Sequence, residues 1–128
     1  MESIYRKKII WLIEKCNEIG LRWKVGKDLF HLKKRIEVGH LPADFSIQDY
    51  ENLILSIINA LDSEIYIYSL ARFQKDYFVF GDGIWVVIIG EDGIMETAFV
   101  VDGNYREYLS EEKGYQYLGT VKEVLGVE

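Results

Sequence analysis

Residues 77–101 read YFVFGDGIWVVIIGEDGIMETAFVV, and the period of this stretch decides the fold class. β-Branched and aromatic residues come in short runs, each ended by a cluster of glycine and acid. Gly90-Glu91-Asp92-Gly93 is a tight-hairpin signal, because Asp-Gly accommodates the positive φ that such turns require. Gly81-Asp82-Gly83 forms a second turn. Connections this short force neighbouring strands to run antiparallel. The spacing predicts strands over 77–80, 84–89 and 94–101, preceded by one over 64–70. Residues 115–121 add a fifth.

Upstream of Asp62 the period is helical. Ile9, Leu12, Ile13, Cys16 and Ile19 share one face of a first helix, and Gly20 supplies a stop. A second helix is expected over 28–38, with Leu29, Leu32 and Ile36 as its buried stripe. A loop with the chain's single proline, Pro42, follows. Ser46 with Asp49 three residues on is a capping-box pattern. It opens a third helix, in which Tyr50, Leu53, Ile54, Ile57, Ile58 and Leu61 recur at helical spacing. The expected architecture is α+β, with N-terminal helices packed on a four- to five-stranded antiparallel meander. No repeat, low-complexity segment or linker divides residues 1–128, which read as a single domain.

Apolar residues make up 49% of the 128, enough for a core without covalent staples. One cysteine excludes an intramolecular disulfide, and with two histidines it leaves no structural zinc set. No metal and no cofactor are expected. Cys16 lies on an apolar stripe and reads as a small buried hydrophobe. The single cysteine and the lack of a secretory signal point to the cytoplasm. No apolar run approaches the ~20 residues that span a bilayer, so no membrane partner is expected. The net charge of −6 is divided unevenly. Residues 1–40 hold ten basic and five acidic side chains, net +5; residues 41–128 hold five and sixteen, net −11. The asymmetry points to an acidic or nucleic-acid partner for the basic half, while the overall acidity argues against non-specific phosphate binding.

Within the basic half, His31, Lys34 and Arg35 fall at i, i+3 and i+4 and would project side by side. Neighbouring cations hold an imidazole's pKa down and fit it to act as a base. They also attract a phosphate and stabilise charge developing on it. His40 follows in a loop, and two histidines supply the pair that acid–base cleavage of RNA uses. The hydroxyl of Thr97 could donate to a phosphate oxygen. Tyr66 and Tyr68 share one strand face and are placed to line a groove for bases. The bland alternative for these residues is a solvated basic helix face and ordinary strand formers.

The order of these segments resembles a known layout. His31-Leu-Lys-Lys-Arg35 and Gly39-His40 precede a helix opened by Ser46-Ile-Gln-Asp-Tyr50. Tyr66-Ile-Tyr68, Tyr77-Phe-Val-Phe80 and the tract WVVIIGEDGIMETAF over 85–99 follow. This is similar to the phage-borne and polymorphic-toxin branch of the barnase–EndoU–colicin–RelE-like nuclease superfamily. The resemblance implies a metal-independent ribonuclease acting in bacterial and phage conflict, with a His or Lys/Arg set near the N-terminal helices and a Ser/Thr on a late strand. Carried over, His31, Arg35 and His40 match the first group and Thr97 the second, as catalytic residues. Lys34, Tyr66 and Tyr68 are added from geometry as substrate-binding residues. The expected partners are RNA and a protein inhibitor or partner. The alternative from a different class is a non-catalytic acidic binding protein, such as an immunity or antitoxin-like partner, because the −11 balance over 41–128 suits a basic target.

Overall fold

The computed structural model describes residues 2–70 and 75–127. Three helices come first: α1 (Ser3–Ile19), α2 (Lys27–Glu37) and α3 (Ile47–Asn59). Four strands follow, β1 (Glu64–Leu70), β2 (Lys75–Gly81), β3 (Trp85–Gly90) and β4 (Met95–Val100). A short helix α4 (Tyr105–Tyr108) leads through one 3₁₀ turn to β5 (Tyr115–Thr120) and a final helix α5 (Val121–Leu125). The strands form one antiparallel sheet in the order β4-β3-β2-β1-β5, so the meander expected from the turns is present and the last strand returns beside the first. At the β3–β4 turn, Gly93 adopts φ +85°, the left-handed conformation that its Asp-Gly signature anticipates.

Period-two alternation gives the sheet two faces. Ile65, Ile67, Phe78, Phe80, Val87, Ile89 and Ala98 point to the helices, where they meet Ile9, Leu12, Ile13, Tyr50, Ile54, Ile57 and Ile58 in the main core. Tyr66, Val79 and Val86 point to the opposite face, where they cluster with Leu109 and with Tyr115 of β5, and Tyr105 and Tyr108 of α4 pack alongside. Ser46 opens α3 with the capping box that its sequence announces: its hydroxyl accepts from the Asp49 N–H, and the Asp49 carboxylate accepts from the Ser46 N–H. Cys16 is buried, and burial pushes its thiol up to about 11, so it behaves as a core hydrophobe. No helix among the described residues is long and apolar enough to cross a membrane.

Three stripes differ from expectation: Leu61, expected to close the α3 stripe, lies past Asn59 and is 42% exposed. Leu29 is 61% exposed and Ile19 57% exposed. Helix α2 lies beside the edge strand β4 and not over the sheet, so only a narrow wedge of its surface is covered. Leu32 fills that wedge, and the helix is turned so that His31 and Arg35, on the flank away from Leu29, are half-buried. This rotation turns His31 and Arg35 towards β4 and leaves Lys34 exposed.

Ile57, 3% exposed at the centre of the helix–sheet core, gives a direct check. Ile57→Ala should lower unfolding free energy by about 2–5 kcal/mol in urea denaturation. A loss below about 1 kcal/mol would mean that the α3 stripe is not the main packing face.

Candidate functional site

β4 is an edge strand, and the outward groups of its backbone need partners. Side chains and one loop supply them. The Met95 N–H donates to the Arg22 carbonyl at 2.8 Å. The Tyr50 hydroxyl, wholly buried, donates to the Ala98 carbonyl at 2.6 Å. The Val100 N–H donates to His40 Nδ1 at 3.3 Å. These contacts draw α2 and the loop after it against the strand, and four of the residues singled out from sequence meet there.

The four form a row along the α2–β4 seam. Thr97 Oγ1 lies 3.3 Å from His31 Nδ1. Arg35, one helical turn on, acts electrostatically on both imidazoles. Its Nη1 lies 3.2 Å from His40 Nδ1. Guanidinium and backbone N–H are both obligate donors, so His40 Nδ1 accepts from each and the ring proton sits on Nε2. The His40 ring is thereby held as a neutral donor. Burial, and then Arg35, lower its pKa below the ordinary histidine value, against the pull of Asp102. Burial, followed by Arg35 and Lys27, lowers that of His31, with Glu96 opposing. Both shifts favour the neutral imidazole near pH 7.

Arg35 is the charged member. Its guanidinium is half-buried and stands 5.7 Å from the Phe99 ring centroid, and it has no carboxylate within ion-pairing distance among the described residues. Its Nε is buried without a hydrogen-bond partner there. The guanidinium therefore keeps donor capacity that no acceptor among the described residues uses. It opens on a cavity of about 520 Å³, lined also by His40, Phe99, Asp102 and Tyr108.

The remaining candidates lie apart from the row. Lys34 is exposed on the outer side of α2 and lines neither the Arg35 cavity nor the one at Tyr68. Tyr66 shares the face of Thr97 and even its cross-strand row, through Ile88 and Val79, but stands three strands away, about 14 Å by strand spacing. It is 4% exposed, and its hydroxyl meets Glu64 and Arg106. Tyr68 stacks on Tyr115 and lines a second cavity. Sequence reasoning passed over Trp23, whose ring lies 5.8 Å from that of His31 and whose Nε1 donates to Glu51 at 3.1 Å. A lone tryptophan in a turn-like segment carries no spacing signal. No group of three or more His, Cys, Asp or Glu side chains placed to hold a metal ion occurs among the described residues. The chain matches no protein-family model, no curated protein and no solved structure.

The seam has a pH signature. A histidine whose pKa is lowered by folding contributes stability above the unfolded value near 6.5, and that contribution is lost as pH falls towards the folded value. His40→Ala, which removes the acceptor of the Val100 N–H, should lower stability by about 1 kcal/mol at pH 7.5. The difference from wild type should shrink at pH 5 in urea melts. A difference that grows on acidification would contradict the neutral-acceptor assignment.

Proposed function

We propose that this protein is a metal-independent, ribonuclease-like protein of the toxin type, acting in the cytoplasm and cleaving RNA by acid–base transesterification. The observation that carries the reading is the Arg35 guanidinium, which donates to His40, has no carboxylate partner among the described residues and lies one helical turn from the His31–Thr97 pair. The resemblance of the 85–99 tract to the barnase–EndoU–colicin–RelE-like superfamily points to the same chemistry.

In this mechanism the neutral His31 ring takes the proton of a ribose 2′-hydroxyl, and the 2′-oxygen attacks the adjacent phosphorus. Arg35, the His40 Nε2–H and Thr97 donate to the non-bridging oxygens as negative charge gathers on them. The 5′-oxygen leaves with a proton from water, because His40 carries no acidic proton at neutral pH, and the His31 imidazolium gives its proton to the hydroxide left behind, which restores the neutral ring and the water. The products are a 2′,3′-cyclic phosphate and a 5′-hydroxyl.

A second reading, a non-catalytic acidic protein that binds a protein partner, is favoured by one observation: His40 Nδ1 is already committed to Arg35 and the Val100 backbone. A cleavage assay on total tRNA and mRNA separates the two. The ribonuclease reading expects cutting that is unaffected by EDTA. His31→Ala should reduce it by about 10²–10⁴-fold and Arg35→Ala by about 10²–10³-fold. The rate should rise with pH through a value below 6.5 and then stay flat, because only the neutral His31 ring is a base. Absence of cleavage, or cleavage that survives loss of both His31 and His40, would overturn it in favour of the binder.

A further inference from the structure

The face of the sheet opposite the helices carries a second cavity, of about 480 Å³, within the range of small-ligand sites. Its floor is a cross-strand row of three tyrosines, Tyr115, Tyr68 and Tyr77, which ends at Gly90 on β3. Tyr68 and Tyr115 stack with ring centroids 4.7 Å apart. A side chain at Gly90 would collide with the Lys75 and Asp92 side chains, so the glycine leaves room for their 2.9 Å ion pair. That pair holds the Lys75 ammonium 5.3 Å from the Tyr77 ring centroid.

The cavity lies on the same sheet face as Thr97 and next to it in the sheet. Ile88, in its wall, is the direct cross-strand partner of Thr97. Glu96, also in the wall, precedes Thr97 and acts electrostatically on both His31 and Lys75. Lys24, on the rim, follows the Trp23 that packs on His31. Aromatic surface beside cations, starting one residue from a site for a phosphodiester, is the pattern that engages unstacked bases. A duplex keeps its bases stacked in pairs and cannot present them to such a floor.

We infer that the Tyr68–Tyr77–Tyr115 groove is a base-stacking subsite for single-stranded nucleic acid, carrying the strand away from the Thr97–His31–Arg35 row with Lys24 against its phosphates. The inference rests on the RNA-cleaving reading for the identity of the occupant, and it assigns that reading a substrate form: single-stranded, not duplex. Tyr66, buried beneath Arg106 and Glu64, takes no part.

The test reads binding separately from cleavage. A fluorescein-labelled, eight-nucleotide, single-stranded 2′-deoxyoligonucleotide of mixed sequence lacks the attacking hydroxyl and stays intact. Its anisotropy is titrated with the full-length protein at low salt. The single strand should bind about tenfold or more tighter than the same sequence as a duplex. Tyr77→Leu should weaken single-strand binding by about 5- to 100-fold, the range for loss of one base–aromatic stack. Lys24→Glu, at an exposed position where folding is not at risk, should also weaken it and flatten its salt dependence. Tyr117→Leu, half-exposed and outside this cavity, should bind as wild type does. Equal affinity for duplex and single strand, or full affinity in both the Tyr77 and Lys24 variants, overturns the subsite. Binding that follows this pattern without any RNA cleavage leaves the subsite standing and sinks the ribonuclease reading alone.

Discussion

Everything of functional interest depends on how the β4 edge is closed. An antiparallel sheet of five strands has two edges, and an unpaired edge invites further strands. Here the β4 edge is met by hydrogen bonds from outside the sheet: the Arg22 carbonyl on Met95, the Tyr50 hydroxyl on Ala98 and the His40 imidazole on Val100. Each is a polar group that would be expensive to leave unpaired where it lies. Together they fix α2 beside the strand instead of on top of the sheet. That position half-buries His31 and Arg35 and brings them to Thr97, which lies on the sheet face away from the main core.

The same constraint sets the electrostatics. A guanidinium on an exposed helix face would be screened by water and would scarcely affect its neighbours. Burial, and then the half-buried Arg35, lower the pKa of both imidazoles, and Arg35 has no carboxylate partner among the described residues. The imidazoles cannot relieve it, because they are uncharged. The seam therefore keeps its positive charge on Arg35, on a protein whose net charge is −6.

The architecture was largely legible because its signals are local. The hairpin at Gly90–Gly93, the capping box at Ser46 and the change of period near Asp62 depend on residues a few positions apart, and each appears where the sequence places it. The burial of Leu29 failed because helical periodicity reports which residues share a face but not how far the neighbouring element reaches around it. The grouping of His31, Arg35, His40 and Thr97 could be named from residue types and a resemblance, but the 3.3 Å approach of His31 to Thr97 spans 66 positions and has no local signature. Trp23 and Tyr77 were passed over for the same reason. Their importance comes from what the fold sets beside them: the ring of His31 for one, and the ion pair beside Gly90 for the other. Tyr66, grouped with Tyr68 by strand alternation, shares its face but not its exposure, because α4 and Arg106 cover that end of the sheet.

The central claim is that the seam holds two neutral imidazoles and a guanidinium that has no carboxylate partner among the described residues. Long-range ¹⁵N–¹H NMR of the two histidines, recorded from pH 5 to 8 with and without inorganic phosphate, tests it most directly. The account predicts both rings neutral at pH 7, with titration midpoints below 6.5, and His40 as the Nε2–H tautomer with Nδ1 bare. It also predicts that phosphate shifts the resonances of both rings, and that Arg35→Ala abolishes the shift. Protonated imidazoles at neutral pH, a proton on His40 Nδ1, or no response to phosphate would contradict it.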